Sequence, residues 1–217
     1  MTKEELYRNL DEMSLPDRIL DLIGAPCWRF WQRKLQMKEQ EVLPFLREYL
    51  QCRDHKSDTQ LRENAYGLFA KCLEQNFDSA HCQFLIDRLE AESDKNILHT
   101  ILSGIGRLEL PSDIHIAPIV DCIKSEKWLV RHSAIQALAA SDTEASREAV
   151  RYWVLQEDEK RYKYELIYGN ATLGGIGTPD DIALLERHVH SRIRDVRDSA
   201  MYAINNIRQR FGQTEKD

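Results

Sequence analysis

Val130-Arg131-His132-Ser133-Ala134, Lys163-Tyr164-Glu165-Leu166-Ile167 and Val196-Arg197-Asp198-Ser199-Ala200 occupy equivalent places at a fixed spacing of 33 residues. Ile97-Leu98-His99-Thr100-Ile101 keeps the same spacing one step upstream, and Leu61-Arg62-Glu63-Asn64-Ala65 lies 36 residues earlier still. Each segment stands near the start of a run with helical periodicity. A period in this range marks stacked helical hairpins, each of which buries its apolar side against its neighbours.

Five hairpins can be drawn around these segments. Glu41–Arg53 pairs with Thr59–Gln75, Ser79–Ala91 with Asp94–Leu108, Asp113–Lys124 with Lys127–Ala140, Glu144–Gln156 with Lys160–Leu173, and Asp180–His190 with Ile193–Phe211. The separators are short and rich in helix breakers, as in Leu110-Pro111-Ser112 and Gly174-Gly175-Ile176-Gly177-Thr178-Pro179. Upstream, Leu6, Leu10 and Met13 recur at helical spacing, Ser14 and Pro16 start a second helix, and Cys27 to Gln40 forms an aromatic-rich helix with Trp28, Phe30 and Trp31. These rings are expected to cap the open end of the stack. The expected organisation is one domain over 1–217: capping helices over 1–40, repeats over 41–211 and a polar tail over 212–217.

At 217 residues the chain can bury roughly 70% of its unfolded surface, so neither disulfides nor metal are needed to fold it. Charged residues make up 30% and hydrophobic residues 42%, with a net charge of −6 and a pI near 5.7. That balance disfavours bulk attraction to nucleic acid or anionic membrane and suits a basic protein partner. Cys27, Cys52, Cys72, Cys82 and Cys122 include no close pair and are expected to be reduced thiols. The acidic start Met1-Thr2-Lys3-Glu4-Glu5-Leu6 and the lack of any membrane-length apolar run lead to an expected cytoplasmic location.

The pairs resemble HEAT repeats, particularly the shorter units of phycobilisome-lyase-type repeat proteins. The first helix of that family often carries a proline, matched by Val42-Leu43-Pro44-Phe45-Leu46 and Ile116-Ala117-Pro118-Ile119-Val120. Its second helix opens with Val-Arg followed by small residues and leucine, matched by Val130-Arg131-His132-Ser133-Ala134-Ile135-Gln136-Ala137-Leu138 and by Val196 to Ile204. The resemblance implies an all-α, right-handed superhelix whose second helices line a concave surface. Small residues permit close helix approach, so Ala134, Ala137, Ala200 and Ala203 are expected at tight contacts. With Val130, Ala134 and Leu138 inward, His132 and Gln136 fall on the opposite side. The equivalent column is Glu63, His99, His132, Glu165 and Asp198, followed one turn on by Gly67, Ser103, Gln136, Gly169 and Tyr202. Glu63, Glu165 and Asp198 would form an acidic stripe, with Trp128 and Tyr202 as aromatic anchors.

The chain carries none of the common catalytic motifs. No phosphate loop, dinucleotide-binding glycine turn or H-E-x-x-H helix occurs, and Gly174-Gly175-Ile176-Gly177 ends a helix where a phosphate site would open one. His188 and His190 diverge on a helix, which argues against shared metal ligation. The His-Glu pairs of HEAT-like iron hydroxylases are missing. Trp128-Leu129-Val130-Arg131-His132-Ser133-Ala134 is similar to the Trp-Leu-x-Arg-x-x-Ala motif of HEAT-like alkylpurine DNA glycosylases, but the place of that family's catalytic aspartate reads Lys95-Asn96-Ile97-Leu98-His99-Thr100. The expectation is therefore a non-enzymatic protein-interaction module without cofactor or metal, gripping a basic partner through Glu63, His99, Trp128, His132, Gln136, Glu165, Asp198 and Tyr202. Immunity-type inhibition of a basic toxin is one form of that role. Glycosylase-like DNA binding and a bilin-lyase-like activity are the alternatives.

Overall fold

The computed structural model of the chain describes residues 2–13, 39–52 and 59–212. These residues are all-α, with no strand among them. They group into two compact units, Met1–Gly104 and Ile105–Asp217. The aromatic helix expected over Cys27–Gln40 falls mostly outside the described residues, as do the Ser14–Pro16 start and the tail beyond Gly212.

In the first unit, α1 (Lys3–Met13) packs on both α2 (Glu39–Cys52) and α3 (Thr59–Gln75). Leu6 and Leu10, one helical turn apart, are fully buried where α1 meets the first hairpin. Tyr7 completes the joint: its ring meets Tyr49 edge-on at 4.9 Å and its hydroxyl donates to the Phe45 carbonyl at 3.2 Å. The next hairpin is α4 (Ser79–Ala91) and α5 (Lys95–Ile105). Asp78 caps α4 by accepting the His81 amide at 2.8 Å, and Glu92 ends it in extended backbone. Glu92 thereby turns into the interior, where it meets Arg62 of α3.

The second unit contains three hairpins, α6 (Ala117–Cys122) with α7 (Trp128–Ala137), α8 (Glu144–Val154) with α9 (Lys163–Ile176), and α10 (Ile182–Glu186) with α11 (Arg194–Arg210). The second helices form a row, α7 against α9 and α9 against α11. Two first helices are shorter than expected. Pro118 stands in the first turn of α6, and the stretch from Pro111 to Ile116 before it is not helical. Before α10, Pro179–Asp181 forms a 3-10 turn in which the Thr178 amide donates to Asp181 Oδ2 at 2.8 Å. Helix α9 runs three residues past the expected stop at Leu173 and ends at Gly177.

Gly174 is inside α9 for a packing reason. A Cβ there would lie 2.9 Å from the Ala203 Cα, so α9 and α11 touch nearly backbone to backbone. Ala134, Ala137, Ala200 and Ala203 are all fully buried, as the repeat pattern requires. Ala203→Leu should therefore overpack the second unit and destabilise it by about 1–3 kcal/mol, a fall of about 2–12 °C in Tm. Calorimetry checks this; an unchanged melt would mean that the α9–α11 contact is looser than the geometry states.

Polar ties join successive repeats of the second unit. Trp153 Nε1 donates to the Ile123 carbonyl at 3.1 Å, Thr172 Oγ1 to Ile135 O at 3.1 Å, and Arg210 Nη2 to Gly177 O at 2.6 Å. His188 Nε2 sits 2.8 Å from Val154 O, and Asn170 Nδ2 donates to Ser199 Oγ at 3.1 Å. Among the described residues no helix is long and apolar enough to cross a membrane.

Candidate functional site

The beginnings of α7 and α9 enclose a pocket of about 490 Å³ lined by Trp128, Arg131, His132, Arg161, Tyr164, Glu165 and Tyr168. Helical geometry explains the clustering. Trp128 and His132 lie four residues apart on one face of α7, and Tyr164 and Tyr168 likewise on α9. The row packing brings those two faces together. His132 is the hub, with its ring centroid 5.6 Å from Trp128, 5.9 Å from Tyr164 and 5.2 Å from Tyr168.

The floor is ionic. Glu165 is only 3% exposed, yet three donors reach its Oε1: Arg131 Nε at 2.7 Å, Arg131 Nη2 at 2.5 Å and His132 Nε2 at 3.1 Å. Arg131 is itself fixed, because Nη1 donates to the Ser125 carbonyl at 2.7 Å and the guanidinium lies 5.5 Å from the Trp153 ring. Burial pushes the Glu165 carboxyl up, but Arg131, its own backbone amide and His132 outweigh burial and hold it below its ordinary value. Burial lowers His132, and the bond to Glu165 only partly offsets that. His132 is therefore neutral at pH 7.

This arrangement corrects the expected acidic stripe. Glu165 and His132 do not face solvent, since their column lies along the seam between successive second helices. Glu63 shows the same tendency: it is half-buried and accepts from Thr100 Oγ1 at 3.4 Å on the next second helix. Asp198 alone of the three carboxylates is exposed, because no described helix follows α11, and it pairs with Arg197 at 3.2 Å. His99 is half-buried with Nδ1 3.3 Å from Ser103 Oγ. Burial moves the protonation of His132 to lower pH than that of a free imidazole.

Of the proposed contact residues, the structure brings together Trp128, His132 and Glu165. Gln136 and Tyr202 are exposed and, with Asp198, fall outside this pocket. Gly169, the equivalent of both, instead faces α8, where an added Cβ would meet Val154 at 2.9 Å. The expected contact residues did not include Arg161, Tyr164 or Tyr168. The two tyrosines had a signal in the substitution of Lys163-Tyr164 for Val-Arg in the fourth repeat, with a second tyrosine one turn on.

Arg131, the arginine of the glycosylase-like motif, is turned onto Glu165 and Ser125. No cluster of three or more His, Cys, Asp or Glu suited to a metal occurs among the described residues. Burial pushes the Cys82 thiol up to about 12 and the Cys122 thiol to about 11, so neither is a thiolate at neutral pH.

Residues 82–169 match the family of HEAT repeats, and every residue lining the pocket lies inside that span. No curated protein matches the chain. Among solved structures, the crystal structure of an engineered protein is similar, with a TM-score of 0.51 and 15% identity over 95% of this chain and 90% of that one. That likeness concerns the fold alone. HEAT repeats serve as interaction and scaffold modules, a role suited to stacked helices that present a continuous surface. The family match over residues 82–169, the 33-residue register and the row of second helices are together consistent with a HEAT-like repeat family.

Proposed function

We propose that the chain is a protein-interaction module that holds its partner against the second helices of its second unit, with Trp128 and Tyr164 as anchors. The observation that carries this reading is the exposure of two large rings, 63% for Trp128 and 55% for Tyr164, above a buried Glu165 held by Arg131 and His132. Exposed aromatics on a rigid base lose little entropy on binding and are the side chains that dominate interface energetics. Tyr202 and Asp198 on α11 and Gln136 on α7 would contribute to the rim. Immunity-type inhibition of a basic toxin drew its support from the acidic stripe, and the burial of Glu165 removes the middle of that stripe.

Capture from source lysate on immobilised protein, followed by identification and purification of what is retained, supplies the test. Trp128→Ala should weaken the purified complex by about 2 kcal/mol or more, roughly 30-fold in Kd, with an unchanged melting temperature. A partner held equally well by the Trp128→Ala/Tyr164→Ala double variant would move the interface elsewhere.

A further inference from the structure

The charges around the pocket do not cancel. Glu165 is matched by Arg131, His132 is neutral, and Arg161 remains as a second guanidinium in the lining. Arg161 is exposed and has no acidic partner within ion-pair distance among the described residues; its guanidinium lies 5.1 Å from the Tyr162 ring centroid. The start of α7 adds to the same sign. Helix α7, entered at Lys127, has no side-chain cap, so its first-turn amides lend positive potential to the pocket, whereas at the start of α9 the Glu165 carboxylate accepts its own backbone amide. A chain of net charge −6 thus carries a local positive site walled by three aromatic rings.

Each ligand class meets this site differently. A cation would find the rings but would face Arg161 and Arg131, with the one carboxylate already engaged. A bare inorganic anion would leave Trp128, Tyr164 and Tyr168 unused, and a neutral ring would leave Arg161 unused. We propose that the pocket binds a flat aromatic ring bearing an anionic group, an aryl phosphate or aryl carboxylate, with the ring against Trp128 and Tyr164 and the anion on Arg161. The volume of about 490 Å³ lies in the range of small-molecule sites and also admits one side chain of a partner. The inference uses the same pocket as the proposed interface, but it does not require that a protein partner exist.

The test uses the isolated protein and the indole N–H signals of its 15N-labelled form. Trp128→Phe assigns the Trp128 signal, and the protein is titrated with phenyl phosphate, phenol, inorganic phosphate and benzyltrimethylammonium. Phenyl phosphate should shift that signal saturably and bind about tenfold or more tighter than each of the other three, because only it uses both the rings and a charge-assisted hydrogen bond. Arg161→Glu should weaken it by about tenfold or more and leave the melting temperature unchanged, since Arg161 is exposed and unpaired. A tyrosine-phosphorylated peptide that binds more tightly than phenyl phosphate identifies a protein-borne ligand; equal or weaker binding identifies a free small molecule, and both outcomes support the assigned chemistry. Absence of a saturable phenyl phosphate shift, benzyltrimethylammonium binding as tightly, or indifference to Arg161→Glu would each overturn it. A partner lost on Trp128→Ala alongside such a failure leaves the interaction reading intact and removes only the ligand chemistry.

Discussion

Arg62→Ala should destabilise the first unit by about 3–5 kcal/mol, among the largest losses that a single polar truncation produces. Arg62 is 2% exposed on α3, and its Nη1 pairs with Glu92 Oε2 at the end of α4. The other oxygen of Glu92 accepts the Tyr66 hydroxyl at 2.8 Å, and Tyr66 in turn accepts Arg88 Nε at 2.9 Å. Burial raises the Tyr66 hydroxyl far above its ordinary value, so it remains a donor across the physiological range. Removal of Arg62 leaves a buried carboxylate without its principal counter-charge. Arg62→Met/Glu92→Leu, which removes both charges, should recover most of the loss because the desolvation cost disappears with them. Urea denaturation of the single and double variants decides the matter; a loss under 1 kcal/mol for Arg62→Ala would mean that the cluster is solvated.

Arg131→Ala should cost about 3 kcal/mol, nearer the lower end for a buried pair because Arg131 is partly exposed. Its pH signature distinguishes it from simple loss of packing. In the native protein Glu165 is held below its unfolded value, so its contribution is present above the unfolded value and lost as pH falls through the folded one. Without Arg131, burial becomes the dominant influence and raises the folded value above the unfolded one. The sign then reverses: stability associated with Glu165 is present at low pH and lost as pH rises through the raised value. Stability curves from about pH 3 to 7 should therefore slope upward for the native chain and flatten or turn over for Arg131→Ala. Parallel curves would show that Arg131 does not set the ionisation of Glu165. Charge reversal at Glu165 belongs with these disruptive changes, since it would bury a lysine beside Arg131.

The hairpins were legible because their apolar spacing and breakers are local signals, and α3, α4, α7 and α11 lie within a few residues of their expected bounds. The end of α9 was misplaced because Gly174 reads as a helix stop when only its own segment is considered. Its role is set by Ala203, 29 residues away, which leaves no room for a side chain. The site was legible in part for the same reason. Trp128 stands out in a small-residue motif, but the burial of Glu165 depends on Arg131 and His132 reaching it from the preceding repeat. A column of equivalent residues is solvent-facing only where the next helix does not cover it, as Asp198 shows on α11. Arg161 gave no sequence signal, because it resembles the charged residues that precede any exposed helix.

The polar ties between neighbouring repeats of the second unit join residues 29 to 37 positions apart. Each bond closes a loop about one repeat long, so the entropy lost on closure is similar at every junction, and ordering can spread from any seam that forms first. Such low contact order favours rapid folding. It also sets the manner of failure: a tie lost between α9 and α11 opens the loop of that one junction, while the Thr172 bond between α9 and α7 stays closed, so damage is borne seam by seam.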